Sequence, residues 1–211
     1  MCGTYGFDES LNWEKLVRLA RLPPSAMALN LPPAEVFYPG SMAPVVYAQD
    51  GQRLAERMYW GLVPPFWHRP LEEKRFSTFN YNSRAADWLD KPTFRSAIRH
   101  RRCLVPATYF IEYSGPKGAK KRIAYGRPDH QPFAMAGVWS PWDGLHKGER
   151  VHLDTFTILT TNANAVVRPV HPQAMPVLLD WRDIDLWMDG PLEDAVALAR
   201  PAPEAALARF Q

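Results

Sequence analysis

Prolines are scattered through the whole chain, 21 of them in 211 residues, and no tract gathers them. Each one fixes φ and removes a backbone donor, so long helices do not fit between them and the chain must be built from short elements and ordered turns. The runs that do emerge are β-branched or aromatic. Val45-Val46-Tyr47, Arg102 to Ala107, Tyr109 to Tyr113, Phe133 to Trp139 and Phe156 to Thr161 all read as strands. Trp13, Leu16, Val17 and Ala20 recur at helical spacing after Asp8 and Ser10, either of which can cap, and Pro23-Pro24 ends the pattern. Trp181, Ile184, Trp187 and Met188 suggest a second amphipathic helix closed by Gly190. Lys117-Gly118-Ala119-Lys120-Lys121 and the stretch from Asp143-Gly144 to Gly148 read as solvated turns, and the proline- and alanine-rich C-terminal stretch as one that frays. The expected fold is α+β: a strand-rich mixed sheet with a few flanking helices, in a single domain over residues 1–211. A hydrophobic content of 46% is enough for one sizeable core. No internal repeat or low-complexity tract interrupts it.

Charge and cysteine usage narrow the function classes without naming one. A net charge of +3 is far from a histone-like excess, so an anionic partner would be met by a local groove and not by the whole surface. Cys2 and Cys103 lack CxxC spacing, which gives neither a disulfide framework nor a zinc pattern and fits a reducing, cytoplasmic compartment. Cys103, within Arg102-Cys103-Leu104-Val105, reads as a core thiol. No basic and apolar leader opens the chain, no lipobox precedes Cys2, and no stretch approaches membrane-spanning length, so neither secretion nor a membrane partner is expected. No metal or cofactor is expected either, and a monomer is the expected state.

Cysteine at position two carries the most chemistry. Removal of Met1 would leave Cys2 with an α-amine and a thiol on adjacent carbons, a pair no other position offers. Such a pair closes a five-membered thiazolidine on an aldehyde, or attacks a carbonyl with the amine as built-in base. Unperturbed, the amine titrates near ~7.7–8.0 and the thiol near ~8.5, so neutral amine is present at neutral pH. By position alone, Cys2 is equally a small residue at a chain end.

Other small groups follow in order. Trp60-Gly61-Leu62-Val63-Pro64 precedes Phe66-Trp67, and Asn82-Ser83-Arg84-Ala85 comes next. Arg102-Cys103-Leu104-Val105-Pro106-Ala107 leads to Glu112, Phe133-Ala134-Met135-Ala136-Gly137-Val138-Trp139 follows, and His171 stands shortly before Met175-Pro176-Val177. With Met1-Cys2-Gly3 at the start, this order resembles the SOS-response-associated peptidase family, the SRAP domain, from Cys2 to about Trp187. The resemblance implies a strand-rich fold with a positively charged cleft around the N-terminus. It implies self-removal of Met1 and a thiazolidine crosslink between Cys2 and the ring-opened aldehyde of an abasic site in single-stranded DNA, which shields the lesion from strand cleavage. Damage-induced expression comes with the family name alone.

Within that resemblance each residue gains an expected role. His171 would protonate the sugar ring oxygen or the carbinolamine, as the side chain whose ordinary pKa lies near neutrality. Glu112 would orient the Cys2 amine and shuttle protons. Strand alternation sets Glu112 on one face with Phe110, and a solvated face is the plain alternative. Asn82 would fix the N-terminal residue or a sugar hydroxyl, where the residue type alone also fits a turn. Arg84 would hold a phosphate, Trp67 would stack on an unpaired base, and the run Arg99, Arg101, Arg102 is a basic stretch from which Arg101 is taken as a DNA contact. Trp60, Trp139, Trp181 and Trp187 read as core. Two departures stand out. Three residues, not two, separate His171 from Met175, without the arginine many members carry there, and Thr4 stands where many members have arginine. The competing readings are an N-terminal-nucleophile amidohydrolase using the same residues, and a non-covalent single-strand binding module.

Overall fold

A computed structural model describes residues 2–73, 80–116 and 118–210. The chain begins with β1 (Thr4–Phe7), α1 (Trp13–Ala20) and β2 (Glu35–Phe37). The cap of α1 is Asn12, whose side chain accepts from the Lys15 N–H at 2.9 Å. Neither Asp8 nor Ser10 fills that place, because the Asp8 carboxylate closes its own turn on the Ser10 N–H at 3.0 Å. Leu16 and Ala20 are the buried face of the helix, and Arg21, at φ 54°, turns the chain out of it ahead of Pro23-Pro24.

The first long hairpin pairs β3 (Met42–Gln49) with β4 (Gln52–Trp60). Its two-residue loop, Asp50-Gly51, has φ of 51° and 74°, the left-handed pair that a tight hairpin following the strand twist requires. After β5 (Asn82–Arg84) come α2 (Pro92–His100), β6 (Arg102–Ala107), β7 (Tyr109–Ser114) and β8 (Lys121–Gly126). Of the turn expected from Lys117 to Lys121, Lys117 lies outside the described residues and Lys121 already opens β8. The second long hairpin, β9 (Phe133–His146) with β10 (Glu149–Thr161), turns on Lys147-Gly148, at φ 52° and 83°. The turn read from Asp143 to Gly148 is therefore only its last two residues, since Asp143 pairs with His152 and His146 with Glu149. Composition hid this extension because cross-strand pairing holds polar residues in extended backbone as readily as apolar ones.

β11 (Met175–Pro176), β12 (Leu178–Leu179), α3 (Ile184–Asp189), α4 (Leu192–Ala197) and β13 (Ala208–Phe210) complete the chain. Gly190 does follow α3, while Trp181 precedes it and donates its indole N–H to Pro132 O at 2.7 Å. The C-terminal stretch expected to fray instead pairs β13 with β8, from Ala208 against Gly126 to Phe210 against Ala124. Backbone pairing, invisible in its composition, fixes it.

Two sheets result. One is ordered β13-β8-β7-β1-β2. In the other, β10-β4-β3-β6-β9 closes on itself through the β9–β10 pairing and forms a five-stranded barrel. The parallel closure of β10 on β4 runs from Thr155 against Tyr59 to Phe156 against Trp60. Beyond those residues β10 continues, taking β5 on one edge in parallel and β11 on the other. Aromatic rings join the two sheets: Tyr5 meets Trp60 of the barrel at 4.8 Å, while its neighbour on β2, Phe37, packs on it at 5.0 Å from within its own sheet. Each such fully buried ring stabilises the packing by roughly 1.5–3 kcal/mol. Trp60, Trp139 and Trp187 are core, as expected, and Trp88 and Trp142 are buried with them. Cys103 is a fully buried thiol inside the barrel.

Candidate functional site

The two sheets meet where Cys2 lies. β1 is held between β2 and β7, with Thr4 opposite Ile111, so antiparallel pairing carries the chain end toward Glu112. β5, carrying Asn82, is delivered by the far end of β10, with Asn82 opposite Ile158 and Arg84 opposite Thr160. Asn82 Nδ2 donates to the Cys2 carbonyl oxygen at 2.7 Å, a bond between two residues eighty positions apart and both buried. The Cys2 thiol, 1% exposed, donates to Thr4 O at 3.4 Å. Burial, and next the charge of Glu112, push that thiol far above its ordinary range, so it rests protonated.

Glu112 is buried at 4% exposure, which removes the solvated-face alternative. Its Oε1 has no hydrogen-bond partner among the described residues, and the same is true of Asn82 Oδ1. Burial pushes the Glu112 carboxyl up to about 7, the range in which a carboxyl both gives and takes protons. Tyr81, a residue the motif reading passed over although it adjoins Asn82, belongs to the same cluster. Its hydroxyl is pushed up by burial and then by the charges of Cys2 and Glu112. Thr4 is buried as well, with its hydroxyl 3.5 Å from that of Tyr113.

His171 reaches the same end of β10 from the other edge. β11 sets Met175 against Thr161 and Pro176 against Thr160, the residue that faces Arg84 across the strand. Arg84 Nη2 donates to Gln173 O at 3.1 Å and lies 3.4 Å from Asn162 Oδ1, which ties β5 to the loop after His171. Within this loop His171 Nδ1 lies 2.9 Å from Ala174 O. The Ala174 N–H lies 3.2 Å from the same nitrogen, so the Ala174 backbone engages Nδ1 in either tautomer. Burial, before any other cause, holds the His171 pKa below its ordinary value, so the ring is neutral at neutral pH. The structure therefore brings together Cys2, Asn82 and Glu112, and joins His171 and Arg84 to them across one strand.

The other two sequence candidates have other surroundings. Trp67 is half-buried against a small cluster of Val63, Leu71 and Trp142, and its carbonyl accepts from the Trp142 indole at 2.8 Å. Its neighbour Phe66 is 51% exposed and presents the more open ring. Arg101 donates from Nε to Trp139 O at 3.1 Å, and its Nη2 lies 3.4 Å from Ser96 Oγ, so its guanidinium knits α2 to β9. Arg102, from the same basic run, is buried at 8% exposure and is spent on main-chain carbonyls. Their places separate these arginines: Arg102 opens β6, which is buried along its whole length, while Arg101 closes α2 just ahead of it. Among the described residues no three His, Cys, Asp or Glu side chains gather as metal ligands would.

A family model described as SOS response associated peptidase (SRAP) matches residues 1–211. Abasic site processing protein YoqW of Bacillus subtilis (strain 168) is 30% identical over 135 residues, covering 63% of this chain and 56% of that protein. Abasic site processing protein HMCES of Gallus gallus is 27% identical over 178 residues, 74% of this chain and 52% of that protein. The chain thus spans about half the length of the curated relatives it matches. A crystal structure of a Bordetella bronchiseptica protein matches with a TM-score of 0.79 at 25% identity, over 99% of this chain and 98% of that one. A Bacteroides thetaiotaomicron protein matches equally, with a TM-score of 0.79 at 20% identity, over 98% of this chain and 90% of that one.

Proposed function

The chain belongs to the SOS response associated peptidase (SRAP) family, and on that premise we propose that it captures abasic sites in single-stranded DNA as a thiazolidine on Cys2, after removing its own Met1. The observation that carries this reading is the buried bond from Asn82 Nδ2 to the Cys2 carbonyl, 2.7 Å long, beside a carboxyl held at about 7. Anchored by its carbonyl, Cys2 keeps its α-carbon, and with it the amine and thiol, in one orientation toward an incoming aldehyde. Two relatives named abasic site processing proteins support the choice of aldehyde.

The order of steps follows from the protonation states. A thiol held protonated by burial is a poor first nucleophile, so the neutral amine adds to C1′ of the open sugar. Glu112 relays protons as the carbinolamine loses its hydroxyl as water and leaves a carbon–nitrogen double bond. His171, neutral in its resting state, takes up a proton and passes it to the sugar ring oxygen as the ring opens. Sulfur then adds to the same carbon. Its proton passes through the Glu112 carboxylate to the nitrogen, so that aldehyde and cysteine become thiazolidine and one water. Ring closure consumes the Schiff base whose acidified C2′ protons would otherwise lead to β-elimination and strand cleavage. The amidohydrolase alternative uses the same residues and is separated by its readout, turnover of a small amide in the absence of DNA.

The deciding test is a denaturing gel of protein mixed with single-stranded DNA carrying one abasic site, beside undamaged DNA and Cys2→Ala. A shifted band is expected only with lesion and Cys2 together, while Cys2→Ala still binds strands without crosslinking. Intact mass is expected to show Met1 lost in the unaltered protein. A full crosslink yield from Cys2→Ala would overturn the reading.

A further inference from the structure

Direct partners on antiparallel strands share a face. The register that sets Glu112 against Ile123 and Phe110 against Tyr125 therefore puts Tyr125 on the same face as Glu112, one diagonal away. Across β1 the row continues with Tyr5 against Phe110, and across β13 with Arg209 against Tyr125. Phe110 and Tyr125 stack at 5.3 Å with 21° between their planes, which fixes the tyrosine ring. Tyr125 is fully buried, and its hydroxyl has no hydrogen-bond partner among the described residues. Glu112 Oε1 is in the same condition. Leaving such a group unpaired in an interior costs roughly 1–3 kcal/mol. A donor and an acceptor, both orphaned on one buried face at diagonal positions about 7–8 Å apart in strand backbone, are within reach of two long side chains.

We propose that Tyr125 is a positioning residue for Glu112, its hydroxyl donating to the carboxylate whenever Glu112 gives up its proton and releasing it on reprotonation. The inference rests on the role given to Glu112 above. Tyr125 keeps its own proton throughout and makes no covalent bond. Its hydroxyl is pushed up, first by burial, so it keeps the proton it donates. The resting site holds Glu112 in a form that is costly to ionise. A donor that engages only the ionised form makes the base available at the moment the thiol must lose its proton. The titratable groups that bear on Glu112 are the chain's terminal amine, whose positive charge works against the effect of burial, the Cys2 thiol ahead of β1, the Tyr81 hydroxyl ahead of β5 and Tyr125 on β8, with Tyr5 sharing the face and Arg209 beside Tyr125.

Tyr125→Phe keeps the ring and its stacking and removes only the hydroxyl. In a carbon-13 NMR titration, the Glu112 carboxyl, assigned by its loss in Glu112→Gln, is expected to titrate about one pH unit higher in Tyr125→Phe, the size of a lost bond to a charged group. The acid limb of the crosslinking rate is expected to move the same way, with binding to undamaged strands unchanged. An unmoved Glu112 midpoint overturns the inference whether or not the protein crosslinks DNA. Absence of crosslinking with a shifted midpoint overturns the proposed function and leaves the contact standing. Should Tyr125→Phe fail to fold, tyrosine labelled at Cζ in the unaltered chain gives the answer: the Tyr125 resonance is expected to step at the Glu112 midpoint and to lose that step in Glu112→Gln, and a flat resonance overturns the contact.

Discussion

Folding carries the Glu112 carboxyl from its ordinary value of 4.5 to about 7. Between those values the folded chain holds a proton that the unfolded chain has released, so stability falls as pH rises through that window and levels off above it. At 1.36 kcal/mol per unit the full effect is about 3 kcal/mol. Urea unfolding from pH 4.5 to 8 is expected to show Glu112→Gln gaining up to that amount on the unaltered protein, and parallel pH slopes would mean that Glu112 titrates as an exposed residue. At this scale the sequence was informative about residue types and silent about their environments. Cys2, Asn82 and Glu112 were legible as a set through the family resemblance. Tyr81 and Tyr125 were not, because an aromatic beside a motif looks like any strand residue until burial strips its hydroxyl of water.

Arg102 works for the elements. Its guanidinium donates to Trp187 O at 2.5 Å, Gly190 O at 2.6 Å, Ile98 O at 3.1 Å and Met188 O at 3.4 Å, and so closes the C-terminal ends of α2 and α3 against β6. A planar fork of donors suits this task where a lysine ammonium does not. Arg102→Ala strands several buried carbonyls and is expected to lower stability by about 3–5 kcal/mol, read by urea unfolding, with Arg102→Lys recovering less than half. Crosslinking per folded molecule is expected to be unchanged in both, and a loss confined to DNA binding would make Arg102 a strand contact instead of a structural one. The strands that are nearly continuous β-branched, apolar or aromatic runs, such as β3, β6 and β7, were legible in outline. The polar reach of β9 and β10 past Trp139 and the pairing of β13 were not, since both are stabilised by a partner strand and not by their own side chains.

For the whole molecule, the strand-rich class follows from proline spacing, but barrel closure does not, because β10 meets β4 in parallel across a long stretch of intervening chain. Charge is the other molecular property with a measurable reach. With a net charge of only +3, affinity for a strand must come from a few placed cations such as Arg84. Arg84→Ala is expected to weaken binding alike on damaged and undamaged strands and to flatten the slope of log affinity against log salt by about 0.7, one phosphate contact on a single strand. Identical slopes would remove Arg84 from the phosphate path. The shared strand at the end of the barrel sets a rule for how chains of this shape can vary. β10 acts as a jig: β5 and β11 are clamped to Thr160 from opposite sides, so their separation is a property of the jig and not of the chain lengths leading to them. The working distance between the two edges is thus set where the barrel ends, by a single strand that both of them share.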